Sequence, residues 1–303
     1  MPVIEVTNLR KSYGGNDAVR DVSFSVERGE IFGILGPNGA GKTTTVECLA
    51  GLRHADGGQI RVLGLDPQRE HDHEQLRQLV GIQLQESQLP DNIQVDEALE
   101  LYASFYRDPA DWRALRDGLG LSSKRTARFG KLSGGQKQRL SIALALVGNP
   151  KVAILDELTT GLDPAARRET WDLIEGVRER GVTIVLVTHF MQEAEHLCER
   201  VAVIDTGRVV AVDSPAGLVN RVNAEQRLRF YPSADLDDRL LTDLPQVTAV
   251  SRHGQQVLVT GTGDVLGAVT SVLARAGIVA EQLRLEQTSL DDAFIALTGQ
   301  EIS

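Results

Sequence analysis

A glycine-rich run that ends in a lysine and two threonines contains the residues best suited to chemistry. The apolar stretch 31–35 leads into Gly36-Pro37-Asn38-Gly39-Ala40-Gly41-Lys42-Thr43-Thr44, which fits the pattern G-x-x-x-x-G-K-[ST] at every fixed position. Glycines let backbone N–H groups converge on phosphate oxygens, and a helix beginning near residue 42 adds the positive end of its dipole. The run therefore predicts a phosphate-binding loop between a strand and a helix.

Two side chains of this run match the needs of a nucleotide that carries magnesium. Lys42 can place a mobile positive charge on the β- and γ-phosphates, and the Thr43 hydroxyl can ligate Mg²⁺. A glycine-rich turn with a chance lysine is the alternative. The order of strand, loop and helix argues against that alternative.

Two acids follow an unbroken apolar stretch at 152–155, which is typical of a buried parallel strand. These acids are Asp156 and Glu157. Ligands bind at the carboxyl ends of the strands in open α/β sheets. We therefore expect Asp156 to hold Mg²⁺ through water, and Glu157 to orient or deprotonate an attacking water.

Other candidate side chains are ambiguous when each is taken alone. Gln85 and His189 also end predicted strands and could sense a γ-phosphate, but either could be structural. Tyr13 could stack on an adenine, although a packed tyrosine is commoner. The run Ser133-Gly134-Gly135 at a helix start could bind an anion or only cap the helix.

The elements that must position these residues can be read along the chain. Alternation of apolar and polar residues predicts half-buried strands at 3–9 and 22–26, with a turn at 11–15 between them. Helical periodicity over 95–149 predicts a mostly helical insertion, and 201–211 reads as a hairpin. Between 226 and 285 the predicted order is β-α-β-β-α-β, a small ferredoxin-like unit.

The order of phosphate loop, glutamine, Leu-Ser-Gly-Gly-Gln at 132–136, apolar-Asp-Glu and histidine resembles the nucleotide-binding subunit of ATP-binding cassette (ABC) transporters. The resemblance covers about residues 3–220. It implies an α/β fold of the P-loop NTPase (ABC ATPase) type, with a parallel-sheet core, an antiparallel β subdomain and a helical subdomain at about 86–149. We expect this ATP-binding domain to span 1–220, and a small α+β C-terminal accessory domain to span 221–303.

The resemblance also implies roles for single residues. Tyr13 matches the adenine-stacking aromatic, Gln85 the metal- and water-contacting glutamine, and Asp163 the dimer-contact aspartate. Glu157 matches the catalytic glutamate and His189 the switch histidine. The implied catalytic residues are Glu157, His189, Gln85 and Lys42, and the implied metal contacts are Thr43, Gln85 and Asp156. The implied nucleotide contacts are Tyr13, Gly36, Pro37, Asn38, Gly39, Ala40, Gly41, Lys42, Thr43, Thr44, Gln85, Ser133, Gly134, Gly135, Gln136 and Asp163.

In that family two cassettes sandwich two ATP molecules, each between one chain's phosphate loop and the other chain's Ser-Gly-Gly run. We therefore expect ATP and Mg²⁺ as cofactors and an ATP-dependent homodimer. A γ-phosphate that bridges two chains binds the closed dimer better than the open one. Its hydrolysis would remove the bridge.

The run 159–163 and the ending 289–299 further resemble the daunorubicin-resistance type of ATPase subunit, which works with separate membrane subunits of ABC-2 exporters. The implied function is ATP-driven efflux of a drug, lipid or glycan through such a permease, at the cytoplasmic face of the cell membrane. One departure is Leu158, where the family usually has proline. Leucine restores an N–H group and frees φ.

Composition limits the other classes. The net charge of −10 argues against a nucleic-acid partner, and no apolar run approaches the ~20 residues that span a bilayer, so we expect membrane contact only through the permease. A soluble cassette ATPase serving ribosomes or DNA repair is the main rival, but such relatives typically join two cassettes or insert a long coiled coil. A regulatory module without turnover is disfavoured by intact Lys42, Asp156, Glu157 and His189.

Overall fold

The computed structural model describes residues 2–84, 89–222, 226–286 and 289–299 of the 303-residue chain. It divides into two compact units, the first ending at Pro215 and the second beginning at Ala216. Among the residues described, no helix combines the length and apolar character needed to cross a membrane.

The first unit is built on a nine-stranded sheet with the order β4-β1-β2-β9-β8-β3-β7-β6-β5. Strands β3, β5, β6, β7 and β8 run parallel to their neighbours among these five, whereas β1 pairs antiparallel with both β2 and β4. The strands are β1 (Pro2–Tyr13), β2 (Asn16–Glu27), β3 (Ile31–Leu35), β4 (Gly57–Val62), β5 (Val80–Gln83), β6 (Val152–Asp156), β7 (Thr183–Thr188), β8 (Arg200–Asp205) and β9 (Arg208–Asp213).

Burial explains why the central strands are nearly continuous apolar runs. Every residue of β3, β6 and β7 is buried, as expected for parallel strands that are covered on both faces. Buried and exposed residues instead alternate along much of β1 and β2. The predicted turn at 11–15 is wrong for residues 11–13, which continue β1 and pair with β2, so the turn itself is Gly14-Gly15.

Seven helices surround this sheet in the described part of the first unit, together with two short 3₁₀ turns. The helical insertion predicted from the sequence lies between β5 and β6 and contains α3, α4 and α5. The helices are α1 (Lys42–Leu49), α2 (Glu70–Leu79), α3 (Val95–Ala103), α4 (Trp112–Gly118), α5 (Gly134–Leu146), α6 (Pro164–Glu179) and α7 (Met191–Leu197).

The second unit has the predicted β-α-β-β-α-β order, with an antiparallel sheet in the order β11-β12-β10-β13. One face of the sheet packs with α9 and α10 around a core that includes Leu228, Phe230, Val259, Val269 and Leu273. The elements from the end of the first unit onward are α8 (Pro215–Arg221), β10 (Gln226–Pro232), α9 (Arg239–Thr242), β11 (Val247–His253), β12 (Gln256–Gly261), α10 (Val265–Arg275), β13 (Ala280–Glu286) and α11 (Leu290–Thr298).

Candidate nucleotide site

The glycine-rich run forms a tight loop between the end of β3 and the start of α1. Gly39 and Gly41 have φ angles of 81° and 98°, in the left-handed region that favours glycine. A Cβ atom on Gly41 would lie 2.3 Å from the carbonyl oxygen of Ala18, and one on Gly36 would lie 2.2 Å from that of Ile204. The loop is therefore pressed against β2 on one side and the end of β8 on the other.

The β8–β9 turn also supports the loop through backbone hydrogen bonds. The Gly207 N–H group donates to the carbonyl oxygen of Ala40 at 3.0 Å. The Gly207 carbonyl oxygen in turn accepts from the N–H groups of Arg20 at 2.8 Å and Asp21 at 3.1 Å. These bonds fix the phosphate loop, the hairpin turn and β2 relative to one another.

Lys42 is 6 % exposed and lies at the centre of this loop. Its Nζ atom donates to the carbonyl oxygens of Gly36 at 2.7 Å and Pro37 at 3.0 Å. Burial lowers the pKa of Lys42, and the negative charges of Glu157 and Asp156 oppose that shift. The Lys42 side chain is thus held against the carbonyl oxygens at the start of the loop, with two acidic residues nearby.

Asp156 ends β6 and is 1 % exposed. Both of its carboxylate oxygens are buried without a hydrogen-bond partner among the described residues. Burial raises the pKa of Asp156 to about 6, the charge of Glu157 adds to the rise, and Lys42 opposes it. A buried acid with two unused oxygens is a strong candidate ligand for a hard cation.

Glu157 follows directly and has a φ angle of 49°, an uncommon backbone conformation for a residue with a side chain. Its N–H group donates to the carbonyl oxygen of Val187 on β7 at 2.9 Å. Its Oε1 atom lies 3.2 Å from Nδ1 of His189, which follows β7. Leu158, the next residue, is fully buried.

One cavity of about 720 Å³ joins the phosphate loop to these side chains. Its volume lies within the usual range for a small-molecule site. Tyr13 is 40 % exposed and lines the cavity, and Nζ of Lys11 and Cζ of Arg53 lie 5.4 and 5.2 Å from the centroid of its ring. The lining residues are Tyr13, Ala18, Asn38, Gly39, Gly41, Lys42, Thr43, Thr44, Glu157, Thr160 and His189.

Ser133 to Gln136 lie at the start of α5 and do not line this cavity. The Ser133 hydroxyl accepts from the Gln136 N–H group at 3.3 Å, and Gln136 Oε1 accepts from the Ser133 N–H group at 3.0 Å. This pair is a capping box, so the structure gives these residues a helix-capping role within the chain. The run has a helix dipole and two glycines at its start, which are features of an anion-binding helix end.

Asp163 caps α6 and also lies outside the cavity lining. Its Oδ1 atom accepts from the N–H groups of Ala165 and Ala166, both at 3.0 Å. These bonds hold the pKa of Asp163 below its ordinary value. Gln85, the remaining predicted site residue, lies outside the described residues.

Two cavity-lining residues were not predicted from the sequence. Ala18 presents no functional group, and its position beside Gly41 depends on the packing of the phosphate loop against β2, which no local pattern shows. Thr160 lies in the segment after Glu157, where the sequence offers a run of two threonines without a signal that separates them. The site otherwise draws on the loop and strand ends that the motifs identified.

A glycine-rich phosphate-type loop, a Glu–His pair and an exposed tyrosine line one cavity, and a buried acid directly precedes the glutamate of that pair. This arrangement is typical of a nucleotide-binding protein. The comparisons with known proteins agree. The ABC transporter family model matches residues 19–160. The chain is 36 % identical over 312 residues to Nod factor export ATP-binding protein I of Burkholderia lata, covering 100 % of this chain and 99 % of that protein. It is 37 % identical over 307 residues to the protein of the same name from Burkholderia orbicola, covering 99 % and 98 %.

Solved structures share the fold. The ATP-binding subunit of an ABC transporter superposes with a TM-score of 0.66 at 28 % identity, covering 72 % of this chain and 92 % of that one. The structure of cbiO1 of Clostridium perfringens, part of the ABC transporter complex cbiONQ, superposes with a TM-score of 0.65 at 29 % identity. The match covers 73 % of this chain and 94 % of that one. A dimeric ATP-binding cassette in a post-hydrolysis state, bound to ADP and Pi, superposes with a TM-score of 0.63 at 25 % identity. The match covers 70 % of this chain and 98 % of that one.

The chain therefore belongs to the family of ATP-binding proteins of ABC transporters. The family and the fold class expected from the sequence are confirmed.

Proposed function

We propose that this protein is the Mg²⁺-dependent, ATP-hydrolysing subunit of an ABC-2 type exporter. Two copies would close on ATP and drive efflux of a drug, lipid or glycan through a separate membrane permease. The single observation that carries the proposal is the cavity in which the phosphate loop faces the Glu157–His189 pair, 3.2 Å apart. Support also comes from full-length similarity to proteins named for Nod factor export.

The positions of the charged groups support a division of tasks. Lys42 and the loop N–H groups would bind the β- and γ-phosphates, with phosphate oxygens replacing the carbonyl oxygens that now accept from Nζ. Tyr13 would stack on the adenine, because an exposed ring face holds any base without reading its edge. Glu157 would accept a proton from the attacking water, or orient it, with His189 fixing the carboxylate.

The residues at the end of β6 fit a magnesium ion. Asp156 offers two buried carboxylate oxygens without hydrogen-bond partners among the described residues, and the Thr43 side chain lines the same cavity as Lys42. Bound there, Mg²⁺ would neutralise charge on the phosphates. Gln85 would be a further contact.

A homodimer would give Ser133, Gly134, Gly135, Gln136 and Asp163 their nucleotide and partner contacts. These residues do not line the cavity of their own chain, so a partner chain would have to bring them to it. The dimeric, ADP- and Pi-bound cassette is a related structure in which two cassettes do associate. The permease would hold the protein at the cytoplasmic face of the membrane.

The test is the Glu157→Gln variant, which keeps the size of the side chain and removes its basicity. We expect it to bind ATP with Mg²⁺, to lose at least about 100-fold in kcat, and to accumulate as a dimer in light scattering. The wild-type protein should dimerise only transiently under the same conditions. The matched control is Glu179→Gln at the exposed end of α6, which should keep normal turnover and normal mass.

Two outcomes would contradict the proposal. Normal ATP hydrolysis by Glu157→Gln would show that Glu157 is not the catalytic base. A variant that stays monomeric with saturating ATP and Mg²⁺, even in the presence of the permease, would remove the dimer mechanism. Co-purification of the chain with a membrane protein encoded beside it, and ATP-dependent efflux by the pair, would test the export assignment.

A further inference from the structure

A third acid, Glu193, lies close to the Glu157–His189 pair but outside the cavity, and it belongs to none of the motifs. Glu193, in the first turn of α7, is fully buried. Its Oε1 atom accepts from the indole N–H group of Trp171 on α6 at 3.2 Å. Its Oε2 atom is buried without a hydrogen-bond partner of ordinary geometry among the described residues. Charged side chains are rarely buried so completely without a specific reason.

Two neighbours of this carboxyl group lie close in sequence to Glu157 and to His189, respectively. Burial raises the pKa of Glu193, and the hydroxyl groups of Thr188 and Thr159 and the Trp171 indole oppose the rise, followed by the charge of Arg167. Thr188 is the last residue of β7, directly before His189. Thr159 lies two residues after Glu157, and its backbone C=O accepts from the Leu162 N–H group at 3.2 Å.

A stack of side chains leads from His189 to the same cluster. The His189 and Phe190 rings have centroids 4.1 Å apart, and Cζ of Arg167 lies 4.6 Å from the Phe190 centroid. The Phe190 N–H group donates to the Thr188 hydroxyl at 3.0 Å. The ring of His189 is therefore backed by residues that are themselves in contact with the surroundings of Glu193.

We propose that Glu193 is a positioning residue: its buried carboxyl group holds the segment after Glu157, the end of β7 and helix α6 in one arrangement, and thereby sets the distance between the Glu157 carboxylate and the His189 ring. The carboxyl group does not line the nucleotide cavity, so it acts through its surroundings: the Trp171 indole that donates to it, and Thr188, Thr159 and Arg167 beside it. The effect on kcat rests on the proposed ATP hydrolysis, whereas the effect on the position of His189 can be measured without nucleotide.

The kinetic test compares Glu193→Ala and Glu193→Gln with Gln192→Ala, an exposed neighbour on the same helix. Misplacing the pair should lower kcat of Glu193→Ala by about tenfold to a hundredfold, with the KM for ATP within about twofold of wild type. Glu193→Gln should recover most of this loss, because its amide oxygen still accepts from Trp171. Gln192→Ala should match the wild type.

The structural test uses the nucleotide-free protein with selectively labelled histidine. The side-chain NMR resonance of His189, assigned by its loss in His189→Gln, should shift in Glu193→Ala and return towards its wild-type position in Glu193→Gln. If Glu193→Ala does not fold by circular dichroism, Trp171→Phe removes the indole donor while keeping an aromatic ring at this position. It should lower kcat and shift the same resonance in the same direction.

An unshifted His189 resonance in the folded variants, or a normal kcat in Glu193→Ala, would overturn the positioning role. A loss shared equally by Glu193→Ala and Glu193→Gln would also overturn it, because the acceptor for Trp171 would then be irrelevant. Failure of the proposed function looks different. A wild-type chain without ATPase activity would refute hydrolysis, while the resonance would still report whether Glu193 positions His189.

Discussion

His189 Nδ1 and Glu157 Oε1 lie 3.2 Å apart although the two residues follow different strands, β7 and β6. The strands are neighbours with Asp156 opposite Val187, and the Glu157 N–H group donates to the Val187 carbonyl oxygen. The pairing of two parallel strands therefore delivers the two side chains to one point. Glu157 has a left-handed backbone with a φ angle of 49°, directly after the last paired residue of β6.

This contact predicts that His189→Ala disables turnover more than binding. We expect kcat to fall by about 100-fold, because the carboxylate loses the group that orients it. The dissociation constant for ATP should stay within about threefold, since the phosphate loop is untouched. His71→Ala, at an exposed histidine on α2, is the control and should behave as wild type. More than half the normal kcat in His189→Ala would contradict the role given to the contact.

In contrast to His189, we expect Lys42 to matter more for ATP binding than for turnover. Lys42→Ala removes a charged donor that would bind the phosphates, so we expect ATP affinity to fall by about tenfold to a hundredfold. Equilibrium binding of a fluorescent ATP analogue would measure it. Lys124→Ala, outside the cavity, should bind normally. Unchanged affinity in Lys42→Ala would show that the loop does not bind phosphate through this side chain.

Tyr13 predicts a stacking contribution that depends on the ring and not on the hydroxyl. We expect Tyr13→Ala to weaken ATP binding by about tenfold, since stacking is worth roughly 1–3 kcal/mol per base. Tyr13→Phe keeps the ring and should retain the affinity. Isothermal titration with ATP and with GTP would measure both changes, and the loss should be similar for the two bases. A Phe variant as weak as the Ala variant would point to the hydroxyl instead.

Asp163 predicts a contribution to stability that can be separated from any partner contact. In the nucleotide-free protein, Asp163→Ala removes the cap of α6 and should lower the free energy of unfolding, whereas Asp163→Asn should keep most of the wild-type stability. Urea unfolding would measure both. An equal loss in the two variants would contradict the cap as the cause.

The pH dependence of this cap follows from its pKa, which the two backbone N–H donors hold below the ordinary 3.8. A depressed folded-state pKa stabilises the protein above the ordinary value. That contribution is lost as the pH falls through the folded-state pKa. The difference in stability between wild type and Asp163→Ala should therefore be full at neutral pH and shrink in acid.

The ends of β6 and β7 could be predicted because buried parallel strands have an easily recognised sequence pattern. The runs before Asp156 and His189 are buried at every residue, so their sequences are unbroken apolar stretches and the polar residues that follow stand out. The β-α-β-β-α-β order of the second unit was readable because buried and partly buried residues alternate along β12 and a turn with Gly254 separates β11 from β12. The phosphate loop needed only its motif.

Glu193 and the end of β1 could not be predicted, for physical reasons. An acid among the polar residues of a short helix is usually solvated, and nothing local shows that α6 and β7 close over it. Lys11 to Tyr13 look like a turn because two glycines follow, yet their pairing with β2 extends the strand. In both cases tertiary contacts decide the outcome.

The tight packing of Gly36 and Gly41 has a consequence for how the loop can be studied. An alanine methyl group at either position would collide with a backbone carbonyl oxygen of β2 or β8 before any ligand arrives. Architecture alone therefore forbids larger residues at these two places, independently of what the loop holds. The melting temperature of such variants should be lowered even without ligand. A loss of affinity in them would therefore not show that the glycine itself contacts the ligand.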